Sequence, residues 1–293
     1  MKILISIPAY NEEDSLRNVI EEIKLIMEKT PYTYQIFVVD DGSSDETVKI
    51  AQKAGAFVYS HPHNLGLAET FRTEISKFLE TNADIFVHTD ADGQYFAKDI
   101  PQLIKKINEG YDLVLGSRFM GKIVGMPWGN RIGNKLFAKV FSRMIGLEIT
   151  DTTTGFRAFT RKVASLTIIN KFTYTQEQII KAAKSKFKIC EIGIDTRKTR
   201  PSRLFKNPLD YAIKSWINIF RIYRDFDPLK FFGRIGGLFF MIGFFIGLLN
   251  FILFLKNGTI NHLPSLILAV ALLLIGVQIM LFGFMADMKN SHP

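Results

Sequence analysis

The stretch "FVHTDADGQY", residues 86 to 95, places two carboxylates, Asp90 and Asp92, one residue apart directly after an apolar run. In an extended chain residues i and i+2 project to the same side, so both carboxylates converge on one spot and repel unless a cation lies there. Paired oxygen donors of this kind suit a divalent metal. Asp and Gly are equally ordinary in a solvated turn, and a lone D-x-D does not separate the two readings. What the rest of the chain brings beside the pair must decide.

Polar residues recur after each preceding apolar run. "ILISIPAY" reads as a buried strand followed by Tyr10, Asn11 and Glu12. Asn11 is expected to cap a helix whose apolar positions are Leu16, Val19, Ile20, Ile23 and Ile26. "YQIFVVDD" is a second strand ending in Asp40 and Asp41, after which Ser43 and Glu46 have the spacing of a capping box opening a helix through Ala54. "AFVYS" is a third strand followed by His63, Asn64 and Gly66; Leu67 to Leu79 is a helix; "DIFVHTD" is a fourth strand that ends in the Asp pair. Strands alternate with helices, and several strands are apolar throughout. The pattern predicts an α/β fold, a mostly parallel sheet with helices on both faces, in which ligands bind beyond the carboxyl ends of the strands. Four strand ends then share one crevice. Neither G-x-G-x-x-G after the first strand nor G-x-x-x-x-G-K-[ST] anywhere is present, so dinucleotide and P-loop readings fall away.

The composition changes near the C-terminus. Ile235 to Leu255 runs 21 residues without a charge and Leu263 to Ala286 runs 24, each long enough to cross a bilayer as a helix. The short connection Lys256 to His262 makes the two spans an antiparallel hairpin that returns the chain to its starting side. Residues 197 to 234 hold ten Lys or Arg against three acids, so they carry +7 of the formal net charge of +9. Positive flanks stay inside, which puts residues 1 to 230 and both termini on the cytoplasmic side of the cell membrane. A basic excess beside a span fits anionic lipids or a phosphorylated lipid rather than nucleic acid. Cys190 is the single cysteine and suits a reducing compartment, and "MKILISIPAYNEED" does not read as a signal peptide.

The ordered series "IPAYNEE", "VVDDGSSDET", "HNLGLA", "TDADGQY" and "LGSR" resembles the family-2 glycosyltransferases of the GT-A fold. With "DTTTGFRAF" and the membrane hairpin, it looks most like the dolichyl-phosphate mannose synthase and polyprenyl-phosphate glycosyltransferase branch. The resemblance implies that Asp90 and Asp92, with Gln94 as a further ligand, hold Mg²⁺ or Mn²⁺ on the diphosphate of a nucleotide sugar. It implies nucleotide contacts at Pro8, Tyr10, Asn11, Glu12, Asp40, Asp41, Gly66, Ala68 and Ala91. It further implies one displacement with inversion, with Asp90, Asp92 and Arg118 as the catalytic set. If the acceptor is a lipid monophosphate, its oxyanion is already a nucleophile and needs no strong base.

Arg118, Arg131 and Lys135 are the expected cations for that phosphate, the last two spaced i and i+4 on one helix face. By the same resemblance Asp151, Thr153 and Thr154 lie on the acceptor side, Glu177 stands where hydroxyl-directed members carry a base, and Arg200, Arg203 and Lys206 belong to a loop over the diphosphate. Each also has a plainer reading as surface charge, turn residue or helix-end acid. The expected organisation is a catalytic domain over 1–207, amphipathic interfacial helices over 208–231 and a two-helix hairpin over 232–288. The stripe Leu209, Ile213, Trp216, Ile217 and Phe220 supports the interfacial segment. Gly243 and Gly247 offer a packing face in the first span, on which a homo-oligomer through the hairpin is also expected. Two rival readings stay open: transfer to a membrane glycolipid or lipid-linked oligosaccharide, and a membrane-anchored sugar-nucleotide-binding protein without turnover.

Overall fold

The structure, a computed structural model, describes residues 1–124, 128–168, 174–198, 227–259 and 262–291, with Ile217, 220–221 and 223–225. The chain forms two compact units, Met1–Ser215 and Trp216–Pro293. The first is built on a seven-stranded sheet. Its strands are β1 (Lys2–Ala9), β2 (Thr33–Asp40), β3 (Phe57–Ser60), β4 (Ile85–His88), β5 (Leu113–Ser117), β6 (Arg157–Thr160) and β7 (Ile189–Gly193). They lie in the order β3-β2-β1-β4-β6-β5-β7, and only β6 runs against the rest.

Alternation along the strands sorts residues between two helical layers. Ile3, Ile5 and Ile7 of β1 and Val87 of β4 join one core with α1 (Leu16–Met27) and α4 (Ile100–Asn108), through Leu16, Ile20, Ile23, Leu103 and Ile104. The opposite face receives α3 (Leu67–Glu80), whose Phe71 and Phe78 pack on Phe159 and Phe86. Both faces are therefore covered. The remaining α-helices among the described residues of this unit are α2 (Thr47–Lys53), α5 (Trp128–Ile145), α6 (Arg161–Ala164) and α7 (Tyr174–Lys184).

Three local expectations are corrected. Asn11 does not cap α1, which begins after Ser15; instead Asn11 adopts φ +52° and its Oδ1 accepts from the Ser44 N–H at 2.9 Å. Asn tolerates this left-handed region because its short side chain bonds locally. Ser43 and Glu46 form no capping box: Ser43 Oγ accepts from the Asn11 N–H, while Asp45 accepts from the Thr47 N–H at 3.0 Å. Finally, β4 stops at His88, so Asp90 and Asp92 lie in a turn that Gly93 closes at φ +72°. The turn, rather than an extended strand, brings them together.

The second unit contains α8 (Pro228–Asn257) and α9 (Leu263–Ser291). The most apolar 18-residue stretches within Pro228–Asn257 and Leu263–Met288 have mean hydropathies of 2.6 and 2.7, so both helices are long and apolar enough to cross a membrane. They pack on a seam of small residues. A Cβ at Gly236 would lie 2.6 Å from the Gly276 carbonyl oxygen, and one at Gly243 would lie 2.8 Å from that of Ala269. Gly247 sits more loosely, 3.8 Å from the Ala269 Cβ, so the close contact repeats every seven residues instead of four. Toward the loop end, Asn250 Nδ2 donates to Ser265 Oγ at 2.5 Å and to the Ile246 carbonyl at 2.8 Å. The expected interfacial segment 208–231 falls largely outside the described residues.

Candidate functional site

Parallel pairing brings the ends of β1, β2 and β3 to one edge of the sheet, where Ala9 is opposite Asp40 and Asp40 opposite Ser60. Pro8 is buried in β1, and Tyr10 emerges exposed just beyond it. The Glu12 N–H donates to Thr47 Oγ1 at 2.8 Å, stitching this loop to the start of α2. Asp40 accepts from the Ser43 N–H at 3.2 Å. Asp41 is buried and bonded through both oxygens: Oδ1 accepts from the Leu65 N–H and Oδ2 from the Gly66 N–H, both at 2.9 Å, while His61 Nδ1 lies 2.8 Å from Oδ1. Asp41 thus folds the 61–66 loop and sets where α3 starts. Gly42, at φ +74°, could carry no side chain, because a Cβ would lie 2.6 Å from the His63 backbone. Ala68, in the first turn of α3, is buried.

Asp90 is half-buried at the end of β4, next to buried Ala91. Burial pushes its carboxyl up to about 6, with His88 opposing and the Asp92 charge adding to the rise. Asp92 Oδ1 accepts from the Gln94 N–H at 2.9 Å, leaving its second oxygen for other partners. Among the described residues no hydrogen bond reaches the Asp90 carboxylate. Its neighbour is Gly155, where a Cβ would stand 2.8 Å from Asp90 Oδ1. Only glycine lets the backbone come so near.

Gly155 belongs to the 151–156 loop, which is held from several directions. Arg118 grips Asp151 with Nε to Oδ2 at 2.6 Å and Nη2 to Oδ1 at 2.9 Å, and Nη2 also reaches Thr153 Oγ1 at 2.7 Å. Burial opposes the Arg118 charge, but the Asp151 carboxylate outweighs it and raises the guanidinium pKa; in turn Arg118 overcomes burial and holds Asp151 below the usual carboxylate range. Glu191 of β7 accepts from the Asp151 N–H at 2.9 Å and from the Thr150 N–H at 2.7 Å. Arg157, fully buried, donates to the Thr154 carbonyl and to Gln178 Oε1, the latter at 3.0 Å. Thr154 Oγ1 accepts from the Phe156 N–H at 3.2 Å.

Other expected residues are dispersed. Arg131 and Lys135 both project from the exposed face of α5, and Lys135 lines a cavity of about 580 Å³ whose walls include neither Asp90 nor Arg118. Glu177 is buried in the first turn of α7, with Lys181 Nζ 2.8 Å from its Oε1. Arg200, Arg203 and Lys206 lie outside the described residues. Sequence reasoning passed over Glu74, His88, Tyr95, Gly155, Arg157 and Glu191. A signal existed for two of them. His88 interrupts an apolar strand, and Glu74 sits within the apolar face marked by Phe71, Ile75 and Phe78.

Among the described residues no group of three or more His, Cys, Asp and Glu gathers as a ready-made metal cage. Two acidic side chains in a turn, one with its ionised form disfavoured by burial, nevertheless fit a hard divalent cation that takes its other oxygens from water and a substrate diphosphate. The donor set suits Mg²⁺ or Mn²⁺ bound together with substrate.

Comparison with known proteins identifies the fold and the family. The glucosyl-3-phosphoglycerate synthase of Mycobacterium tuberculosis, solved in complex with Mn²⁺, uridine diphosphate and glucosyl-3-phosphoglycerate, superposes with a TM-score of 0.57 at 21% identity. That match covers 74% of this chain and 79% of that one, and it establishes a shared GT-A fold. A dolichyl-phosphate hexose transferase of Haloferax volcanii is 33% identical over 195 residues, 64% of this chain and 79% of that protein. The glycosyltransferase AglJ of the same organism is 27% identical over 292 residues, 98% of this chain and 93% of its own. The family model described as glycosyl transferase family 2 matches residues 4–166, taking in the strand-end loops, the Asp pair, Arg118 and the 151–156 loop, and the chain belongs to that family as a glycosyltransferase.

Proposed function

We propose that the protein transfers a hexose from a nucleotide sugar to a polyprenyl or dolichyl phosphate at the cytoplasmic face of a membrane, with inversion at the anomeric carbon. The observation that supports it most is the pairing of two environments at one sheet edge. Asp90 and Asp92 form an anionic turn that wants a cation, while Arg118, whose charge partly opposes the burial-driven rise in the Asp90 pKa, is held charged and oriented by Asp151.

The chemistry needs little else from the side chains. The β1, β2 and β3 loops receive the nucleotide. Asp90 and Asp92 would hold the divalent cation, which when bound neutralises charge on the departing diphosphate. Arg118 uses Nε and Nη2 on Asp151 and Thr153, so its Nη1 is the donor for an acceptor phosphate. The phosphate oxygen attacks the anomeric carbon as the bond to the diphosphate breaks, and no proton need be removed. Arg131 and Lys135, exposed on α5, supply further positive charge, and α8 and α9 anchor the enzyme where such a lipid resides. The names of relatives that act on dolichyl phosphate support this acceptor.

The test is an assay of purified protein with radiolabelled GDP- and UDP-sugars against undecaprenyl and dolichyl phosphate. A labelled lipid that mild acid hydrolyses, as a sugar phosphodiester is, supports the reading. An acid-stable labelled lipid would replace it with transfer to a glycolipid.

A further inference from the structure

Beneath Asp90 runs a polar chain that the transfer reaction above leaves without a role. Ser6 of β1 and His88 of β4 are register partners, and His88 is likewise opposite Arg157 of β6. Residues paired across neighbouring strands project from the same face of a sheet. On that face α3 delivers Glu74, whose Oε1 accepts from Ser6 Oγ at 2.7 Å and whose Oε2 lies 3.2 Å from His88 Nε2. The opposite ring nitrogen, His88 Nδ1, is 2.8 Å from the Gly155 carbonyl oxygen. A carbonyl only accepts, so Nδ1 carries a proton; the attraction of Nε2 to the Glu74 carboxylate needs one there as well. Ser6, Glu74 and His88 are all fully buried.

Such a chain is costly. Burying a carboxylate and an imidazole generally stabilises less than an apolar trio of the same volume would. Its far end, however, is the peptide that abuts the Asp90 carboxylate. The Gly155 carbonyl is taken by His88, and the Gly155 N–H donates to the Tyr95 hydroxyl at 3.3 Å. With no Cβ, the Gly155 backbone held between these two bonds forms the wall against which Asp90 rests.

We propose that Glu74 and His88 are positioning residues for Asp90: Glu74 orients the His88 ring, His88 holds the Gly155 peptide, and that peptide fixes the Asp90 carboxylate in the place where it receives the cation. The inference rests on the reading of Asp90 and Asp92 as metal ligands. Ligand-supporting groups of this kind change metal affinity when removed, although they never touch the metal.

The experiment titrates Mn²⁺ into full-length protein in detergent, with UDP and separately GDP present, and reads free Mn²⁺ by electron paramagnetic resonance. His88→Leu weakens Mn²⁺ binding about tenfold. His88→Asn, whose amide nitrogen reaches roughly where Nδ1 stands, restores it to within about threefold of wild type, whereas His88→Gln, which reaches toward Nε2, does not. The concentration of lipid phosphate needed for half-maximal rate is unchanged in all three. Thermal melting identifies any variant that fails to fold; should His88→Leu be such a variant, the contrast between Asn and Gln decides. Mn²⁺ binding by folded His88→Leu equal to wild type overturns the proposal, and so does equal impairment of the Asn and Gln variants. Failure of the wild type to bind Mn²⁺ with either nucleotide instead removes the metal reading of Asp90 and Asp92, and the proposal with it.

Discussion

Arg118 and Asp151, 33 residues apart in the chain, form a two-pronged ion pair in which the carboxylate is fully buried. Asp151 is therefore the group that aims Arg118, and its own oxygens are taken up by that guanidinium and by the Thr153 N–H. Asp151→Asn should cost about 3 kcal/mol of stability, since it leaves a largely buried cation without its counter-charge. It should also raise the lipid-phosphate requirement. Arg118→Ala should raise that requirement about 10- to 100-fold and leave the nucleotide-sugar requirement nearly unchanged, as expected for one charge-assisted phosphate contact. Arg118→Lys should recover only part, because it keeps the charge and loses the fork. Initial rates at varied donor and acceptor check both; a loss confined to the nucleotide sugar would reassign Arg118 to the donor side.

Metal dependence is the second expectation. Asp92→Asn should abolish transfer while leaving the melting temperature within a few degrees of wild type, and EDTA should produce the same loss in the unmodified enzyme. Added Mg²⁺ or Mn²⁺ should restore the chelated wild type and not the variant. Activity of Asp92→Asn in chelator would end the assignment.

The raised Asp90 pKa makes a prediction about the metal-free protein. Unfolded, this carboxyl ionises near 3.8; folded, near 6. Below the lower value both states are neutral and Asp90 has no effect. Between the two values only the unfolded state is ionised, so stability in EDTA should fall as pH rises from about 4 to 6 and then level off. Asp90→Asn removes this penalty and should be more stable than wild type at pH 7 in EDTA, by on the order of 2 kcal/mol. Melting curves across that pH range, with and without the substitution, measure it; a variant no more stable than wild type would show that the carboxylate is well solvated.

Orientation in the membrane can be read with thiols. Burial pushes the Cys190 thiol up to about 11, so the native cysteine should react slowly near neutral pH and form a quiet background. Thr259→Cys, in the loop between α8 and α9, should be labelled in sealed cells by an impermeant maleimide. Cysteines introduced at exposed head positions such as Glu28 should be reached only after lysis. The reverse pattern would invert the topology.

What the sequence determined by itself is what depends on local spacing. Alternating strand and helix patterns were legible because apolar period and run length report burial directly, and the two C-terminal helices because runs of 21 and 24 uncharged residues are long and apolar enough to cross a membrane. The Asp90 and Asp92 pair could be found because its members are one residue apart in the chain, whereas the turn that holds them became visible only where β4 ends at His88. The tertiary structure decided everything that required a distant partner. Ser43 has the right spacing to cap α2, yet the Asn11 N–H competes for its hydroxyl from across the sheet edge and Asp45 takes over the helix. Asp41 has a structural role that its local sequence does not show: the 61–66 loop folds onto it and bonds both its oxygens. Glu74 and His88 look like misplaced polar residues until register puts them beside Ser6 and Gly155. A hydrogen bond is satisfied by whichever group the packed chain delivers within about 3 Å, and that delivery depends on sheet order and helix docking, which no local pattern encodes.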